Sequence, residues 1–377
     1  MPPVDLELSP DEAELRDNVR SVLAGICPPS MVRAVYEHKD DAGAIWEKMV
    51  ELYWPALGIP EEHGGLGMGF IEVAIVAEEL GRATVPSPFL ATVTEFAPAL
   101  RELGAGALLA KVAAGEVTGS LALAERGRWA LDAVEATARP TDDGWALRGE
   151  KQAVLDGASA DEVLVIARRE GTTGGDGLGA FLVPASALAP RPCDVLDLTM
   201  PLADLALDGV VVAGDRVVAE PGAAGVGVGL GRALEEATVA LAMATSGTCR
   251  VIFETTLEYA KQREQYGRPI GSFQALKHRL ADMYLSVERA SALCWFAALT
   301  IAEEDPRRTE AASLAKAAVG ECQHLVVGDG LQLHGGIGYT WEHDLHFLLK
   351  RAQAGDALFG NAVAHRARLA HLVGLAS

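Results

Sequence analysis

Side chains that could bind an anion occur in two short stretches of the second half of the chain. The first, residues 261–284 (KQREQYGRPIGSFQALKHRLADMY), places Arg263 in the last turn of a helix, before a tight turn and a second helix with Ser272 as the expected N-cap. The second, residues 332–340 (QLHGGIGYT), is rich in glycine. Arginine offers a rigid fork of donors to a diphosphate, and glycine lets backbone N–H groups approach phosphate oxygens. Together the stretches predict a diphosphate site.

A simpler interpretation of the first stretch stays open. An arginine in the last turn of a helix also interacts favourably with the helix dipole while its side chain is solvated. On this interpretation Arg263 would have no ligand.

The order of several motifs gives the two stretches a more specific meaning. An Arg-x-x-aromatic-Gly motif, a Phe-Gln pair, Ala-Asp-Met on a helix and Gln-x-x-Gly-Gly-x-Gly-Tyr start at Arg263, Phe273, Ala281 and Gln332. The N-terminal part adds GIPEEHGGLG at 58–67 and EELGR at 78–82. In this order the motifs resemble the acyl-CoA dehydrogenase family over nearly the whole chain.

The resemblance implies an FAD cofactor that lies across a dimer interface and an acyl-CoA thioester substrate. The family passes the α-proton of the thioester to a Glu while the β-hydride goes to the flavin. The residues of this chain that match the contacts to the adenosine and diphosphate end of the cofactor are Arg263, Gln265, Phe273, Gln274, Gln332, Gly335 and Gly336.

The two positions where the family carries its catalytic Glu hold other residues here. Phe359 stands in the triplet of the last helix, and Ala237 stands at the position thirty residues before Gly267. Glu235 and Glu236 lie beside Ala237, so either could be a displaced base. One residue rotates a helical side chain by about 100°, and we expect both carboxylates on a solvated face. Asp356 is a further candidate.

The positions that the resemblance assigns to the flavin ring have also changed. Ala153 replaces an aromatic residue that covers the ring, and Leu155 replaces a Thr that hydrogen-bonds to it. Asn361 replaces the Thr expected after the catalytic Gly. Trp129 could cover the ring instead, although a core or edge Trp is the simpler interpretation.

This asymmetry predicts the non-catalytic subunit of an α2β2 acyl-CoA dehydrogenase, with a homologous catalytic subunit as partner. Two alternatives stay open: a self-sufficient homotetramer with a displaced base such as Glu236 or Glu235, and a flavin-free scaffold or CoA-thioester binding protein. Family analogy adds electron-transferring flavoprotein as the electron acceptor, and heteromeric relatives suggest a sterol-derived acyl group.

The composition restricts the partners and the compartment. A formal charge of −20 argues against nucleic acid and anionic membranes as partners. The five cysteines are scattered without metal-ligand spacing, which predicts reduced, mostly buried thiols and no metal site. We find no signal peptide and no apolar run of ~18 residues, so we expect a cytoplasmic protein without membrane insertion.

The residue patterns predict an α+β multidomain protein. Residues 1–117 read as an all-α domain that opens with a capping box at Ser9. Residues 118–220 read as a β-barrel or sandwich of short strands, including one at 144–155. Residues 221–377 read as a four-helix bundle with helices at 233–264, 272–303, 308–332 and 342–375.

Overall fold

The computed structural model describes residues 7–40 and 42–375. Its α-helices, numbered in chain order, are α1 Pro10–Ile26, α2 Pro29–Tyr36, α3 Gly43–Glu51, α4 Phe70–Arg82, α5 Ala97–Glu102, α6 Gly106–Ala113, α7 Val226–Gln262, α8 Gln274–Ala302, α9 Arg308–His334, α10 Leu345–Ala357 and α11 Ala362–Leu372. The strands are β1 Gly119–Ala122, β2 Thr137–Thr141, β3 Gly144–Arg148, β4 Glu150–Leu155, β5 Glu162–Arg169, β6 Leu178–Pro184, β7 Arg191–Pro192, β8 Leu202–Ala206, β9 Val211–Ala213, β10 Val217–Ala219, β11 Glu264–Gln265 and β12 Arg268–Pro269.

Contacts divide the chain into two compact units that each combine distant parts of the sequence. The helical unit contains Met1–Asp41, Phe70–Pro86 and Thr238–Ser377, and the mixed unit contains Ala42–Gly69 and Ser87–Ala237. The predicted domain limits at 117/118 and 220/221 stay predictions.

The mixed unit is built on two sheets. Its larger sheet has the order β10-β6-β5-β2-β3-β9, with β1 parallel to β5, and its smaller sheet has the order β4-β8-β7. The predicted strand 144–155 is therefore wrong as a single element. Gly149, at φ 123°, separates β3 from β4, and the two strands join different sheets.

The central strand β5 is buried on both faces, which explains its continuous apolar run. Val163, Val165 and Ala167 pack among the residues of both sheets. Leu164 and Ile166 point the other way, into a second apolar cluster with residues of α5 and α6. Because successive side chains of a strand alternate between faces, one strand supports both layers. The predicted β-barrel or sandwich is confirmed in this form.

The helical unit packs its helices closely at small residues. A Cβ added to Gly81 of α4 would lie 1.8 Å from the backbone oxygen of Ala244 in α7, so only glycine permits this crossing. Glu79 in the same EELGR motif is buried and pairs with Arg20 of α1 at 2.6 Å. The motif at 78–82 thus fixes how three helices cross.

The bundle confirms three of the four long helices that the sequence predicts and corrects the fourth. A helix at 342–375 is wrong, because residues 358–361 separate α10 from α11. The expected N-cap at Ser272 is also wrong: α8 begins after Phe273, and the Ser272 hydroxyl is buried with no hydrogen-bond partner among the described residues. The capping box at Ser9 is confirmed, with Glu12 completing it.

Helix α8 is, within the described ranges, the one helix long and apolar enough to cross a membrane by length and composition. Bundle helices share this composition. Its charged residues pair with neighbouring helices of the bundle: Glu288 with Arg250 of α7, and Arg289 with Glu321 of α9, each at 2.5 Å. These pairs are the contacts of a helix packed between α7 and α9.

Candidate functional site

A short hairpin fixes the backbone of Arg263 directly after α7. Strands β11 and β12 pair around Tyr266 and Gly267, which both have positive φ (55° and 74°), as a two-residue type I′ turn requires. The Arg263 N–H donates to the Tyr259 carbonyl at 2.8 Å, and the Arg263 carbonyl accepts from Ile270 N–H at 2.7 Å. The residue is therefore held from both sides.

The Arg263 side chain itself is exposed, and no carboxylate in residues 7–40 or 42–375 pairs with it. Gln265 and Gln274, the amide donors from the hairpin and from the start of α8, are exposed as well. Phe273 is partly covered, since the Arg268 guanidinium lies over its ring at 4.2 Å. These four sequence-predicted residues thus lie in the hairpin and at the start of α8, three of them exposed and Phe273 partly covered.

The glycine turn, formed by Gly335 and Gly336, directly follows His334, the last residue of α9. Gly335 has φ 62° and ψ −142°, a backbone conformation that suits glycine alone. A Cβ added to Gly335 or Gly336 would meet nothing within 4 Å, so the turn is open on its outer side. Gln332 is exposed one turn earlier. This backbone can approach an anion without steric hindrance.

Two residues that the sequence analysis missed connect the hairpin to the glycine turn. Tyr259 of α7 and His334 of α9 stack with ring centroids 4.4 Å apart and planes at 21°. The signal was present in the sequence, because Tyr259 precedes Arg263 by one helical turn and His334 directly precedes Gly335. The predicted diphosphate residues thus lie at two adjacent helix ends.

The carboxylates beside Ala237 do not lie on a solvated face, so that expectation was wrong. Glu235 and Glu236 are 8% and 6% exposed, and Ala237 is buried with them. Glu236 accepts a hydrogen bond from Arg101 of α5 at 2.5 Å. Because Arg101 holds its carboxylate, Glu236 has a structural role in the mixed unit.

The second base position lies in the break between α10 and α11. Phe359 is half-buried with φ 56°, and Gly360 follows with φ 91°. The buried ammonium group of Lys316 donates to the carbonyls of Asp356 and Gly360, each at 2.8 Å. The third candidate base, Asp356, accepts hydrogen bonds from Ala362 N–H at 3.2 Å and from Gln323 Nε2 at 3.4 Å, while Asn361 is the N-cap of α11.

The ring positions of the mixed unit carry no aromatic or hydroxyl group. Ala153 has φ 51° at a bulge of β4, and its N–H donates to Asp204 at 3.1 Å. Leu155 is buried. Trp129 packs against the apolar cluster of β1 and α5, as expected for a core or edge Trp. Neither Ala153 nor Leu155 can stack on a ring or donate a side-chain hydrogen bond.

A buried ion pair nevertheless keeps this region ordered. Lys151 of β4 is fully buried and donates to Glu125 at 2.5 Å. Glu125 also accepts from Glu135 N–H at 2.7 Å and Ala136 N–H at 3.0 Å. Burial lowers the pKa of Lys151 to about 8, although Glu125 opposes the shift. This ion pair therefore holds the backbone of β4 in place, although Ala153 and Leu155 on the same strand cannot contact a flavin ring through a ring or a hydroxyl group.

Glu95 is a third residue that the sequence analysis missed. It lies in Leu90–Phe96, a π-helical segment that runs into α5, and is 5% exposed. Within the described part of the chain no donor reaches its carboxyl group. Burial, with a smaller contribution from Asp156, raises its pKa well above the usual value. Buried carboxyl groups without partners are uncommon and occur at functional sites more often than elsewhere.

Comparison with known proteins was made for the sequence and for the structure. The family model of the acyl-CoA dehydrogenase C-terminal domain matches residues 224–373, and that of the N-terminal domain matches residues 9–119. Acyl-CoA dehydrogenase IpdE2 of Mycobacterium tuberculosis is 33% identical over 93% of this chain and 93% of its own. IpdE2 of Mycolicibacterium smegmatis is 31% identical over 94% of this chain and 96% of its own.

Solved structures agree with this assignment. The ChsE4-ChsE5 complex from Mycobacterium tuberculosis has a chain that superposes with a TM-score of 0.87 at 27% identity, covering 99% of this chain and 100% of that one. A variant of the Tcur3481-Tcur3483 steroid ACAD gives 0.85 at 30% identity, covering 97% and 98%. Butyryl-CoA dehydrogenase from Megasphaera elsdenii, at 22% identity over 98% and 100%, shares the fold with a TM-score of 0.88.

Proposed function

Because the chain belongs to the acyl-CoA dehydrogenase family, we propose that it is the non-catalytic subunit of a hetero-oligomeric, FAD-dependent member. One observation carries the proposal: neither base position offers a free carboxylate. Ala237 and Phe359 occupy the two positions, Glu236 is held by Arg101, and Asp356 accepts hydrogen bonds from Ala362 N–H and Gln323. The α-proton of an acyl-CoA thioester would therefore pass to a Glu of a homologous partner subunit.

The residues present fit one end of FAD. Arg263 offers an uncompensated guanidinium, and the open turn at Gly335 and Gly336 offers a backbone that an anion can approach. Gln265, Gln274 and Gln332 add neutral donors, and Phe273 adds an aromatic face. When bound, FAD supplies the acceptor for the β-hydride of the thioester. This chain would hold the diphosphate and orient the cofactor toward the partner.

The relatives support an assembly of two different chains. One similar structure is a ChsE4-ChsE5 complex, and another is the Tcur3481-Tcur3483 steroid ACAD, so paired chains occur among proteins at 27% and 30% identity. By analogy we infer a steroid-derived acyl-CoA as the substrate class and electron-transferring flavoprotein as the electron acceptor. We also infer a cytoplasmic location from the reduced, mostly buried cysteines.

Subunit-specific substitutions in the co-purified complex test the proposal. Arg263→Ala should lower FAD affinity about tenfold or more, because a charge-assisted diphosphate contact is lost. Glu236→Gln should leave turnover within about twofold, since no proton transfer depends on it. Lys261→Ala is the matched control, as it removes a neighbouring exposed cation. The readouts are FAD titration of the apo-complex and thioester-dependent dye reduction.

The opposite pattern would reject the proposal. If Glu236→Gln abolishes turnover while Arg263→Ala leaves FAD affinity unchanged, this chain is the catalytic subunit and does not hold the diphosphate.

The unpartnered carboxyl group of Glu95 supports a second candidate, a self-sufficient flavoenzyme that uses this residue as its base. Its raised pKa would suit proton abstraction in a dry site. Under this candidate the chain purified alone oxidises acyl-CoA, and Glu95→Gln abolishes that activity while leaving the FAD content unchanged. An inactive chain without flavin excludes it.

A further inference from the structure

Tyr259 and His334 join the ends of α7 and α9 through two contacts, and a third contact fixes the His334 ring within α9. Their rings stack at 4.4 Å, and the Tyr259 hydroxyl lies 3.4 Å from the His334 carbonyl, to which it donates. The His334 Nδ1 lies 2.8 Å from the Gly330 carbonyl. A carbonyl can only accept, so Nδ1 carries the proton of the neutral ring. Burial lowers the pKa of His334, which keeps the ring neutral at neutral pH.

Each residue of this pair is attached to one of the two groups predicted to bind the diphosphate, Tyr259 to Arg263 and His334 to the glycine turn. The Tyr259 carbonyl accepts the Arg263 N–H at 2.8 Å, and His334 is followed directly by Gly335. The helices also approach closely just before their ends. A Cβ added to Gly330 would lie 3.0 Å from Ile252 and 3.2 Å from Thr256 of α7. The close approach at Gly330 sets the spacing of the two helices, and the stacked pair extends the contact to their last turns.

We propose that the stacked pair Tyr259–His334 positions Arg263 and the Gly335–Gly336 turn relative to each other, so that both bind one diphosphate group of a dinucleotide. The proposal rests on the proposed function, which assigns the diphosphate to these residues. Two exposed donor groups on separate helix ends bind an anion jointly at a lower entropic cost if their separation is fixed before the ligand arrives. The pair is a positioning element, since neither ring is assigned a contact to the ligand.

The energy of a stacked aromatic pair gives the expected loss of FAD affinity when the stack is removed. A stacked aromatic pair contributes about 0.5–1.5 kcal/mol beyond its buried area, which corresponds to about two- to twelvefold in a binding constant. The hydroxyl contact at 3.4 Å is long for an O–H donor and adds little. Loss of the stack should therefore weaken FAD binding, and loss of the hydroxyl alone should not.

FAD titration of the apo-complex, with ADP as a competing probe, tests the proposal. Tyr259→Leu should weaken FAD and ADP binding about three- to tenfold, whereas Tyr259→Phe, which keeps the stack, should stay within about twofold. The double variant Tyr259→Leu with Arg263→Ala should bind no more than about twofold more weakly than Arg263→Ala alone, because Tyr259 acts through Arg263. The mass of the Tyr259→Leu complex should match that of the wild type.

Tyr284→Leu provides the matched control, since it removes a ring that pairs with Phe253 of α7 at 5.5 Å elsewhere in the same bundle. It should leave FAD affinity unchanged. His334→Asn is the second variant: it removes the stack but keeps a side-chain N–H donor near Gly330. It should weaken FAD binding as much as Tyr259→Leu does.

The outcomes separate this inference from the proposed function. If Arg263→Ala weakens FAD binding but Tyr259→Leu and His334→Asn do not, or if the double variant is additive, the positioning role is rejected and the diphosphate site stands. If Arg263→Ala has no effect, the diphosphate site itself is rejected. If neither Tyr259→Leu nor His334→Asn assembles, the pair is needed for folding and the positioning proposal is overturned.

Discussion

At the scale of single residues, the account depends on which carboxylates are free to accept a proton. Glu236 lies one position from a place where the family carries its base, yet its carboxylate is bound by Arg101. The sequence could not show this, because the partner lies 135 positions away. A local pattern of Ala-Leu-Glu-Glu-Ala is equally compatible with a solvated face and with a buried ion pair.

Removal of Arg101 should therefore destabilise the protein. Arg101→Leu leaves Glu236 buried without its cation, which costs about 2–3 kcal/mol; the Arg101 side chain is 29% exposed, so we expect less than for a fully buried pair. Urea unfolding at neutral pH measures the change. The double variant with Glu236→Gln should recover most of it. Equal losses for the single and double variants would show that the pair contributes nothing.

At the scale of elements, residues 358–361 separate α10 from α11 and include Phe359, which stands at one of the two predicted base positions. Lys316 binds two carbonyls of the break, and His365 Nε2 donates to the Phe359 carbonyl at 2.9 Å. Residue patterns alone favour a continuous helix here. The structure differs because Phe359 takes a positive φ, which non-glycine residues rarely adopt and which residue patterns therefore do not predict. Hydrogen bonds from Lys316, about 40 positions earlier in the chain, and from His365 support this conformation, and no local pattern reveals the contribution of Lys316.

The break should make stability depend on pH through His365. Burial, together with the nearby Lys316 and Arg368, lowers the pKa of His365 from 6.5 to about 4. The unfolded chain therefore takes up this proton first as the pH falls. This contribution is fully present above about pH 6.5 and is lost toward pH 4, by roughly 3 kcal/mol.

His365→Gln keeps an amide donor for the Phe359 carbonyl and removes the titration. The free energy of unfolding of the wild type, minus that of the variant, should be constant above pH 7 and should fall between pH 6.5 and 4. A difference that stays flat over the whole range would contradict the assigned protonation state. Urea titrations at a series of pH values provide the measurement.

Local sequence signals did predict much of the remaining architecture. The capping box at Ser9, the short strands of the mixed unit and the long helices α7, α8 and α9 all follow from residue patterns of two to four positions. What failed depended on distant contacts: the buried state of Glu235 and Glu236, the division of 144–155 between two sheets, and the uncapped start of α8. The stacked pair Tyr259–His334, which connects Arg263 to the glycine turn, is also a contact between distant parts of the sequence, so local patterns did not predict it.

At the scale of the whole molecule, the residues predicted to contact the two ends of FAD differ in how well they suit that role. The helical unit presents an exposed arginine beside an open glycine turn, whereas the mixed unit offers Ala153 and Leu155 where the family contacts the flavin ring. In the resembled family the two ends of the cofactor are bound by different subunits. One subunit can therefore lack the residues for the flavin ring and still carry those for the diphosphate. On the proposed function, the whole protein is an assembly in which this chain completes the site of its partner.

The flavin content of the native assembly tests this central claim most directly. The chain should be produced alone and also together with a homologous subunit that retains its catalytic Glu, and each product should be examined by native mass spectrometry and flavin absorbance. We predict an α2β2 complex with one FAD per heterodimer, and no flavin in the chain produced alone. A yellow homotetramer of this chain that oxidises acyl-CoA without a partner would contradict the account.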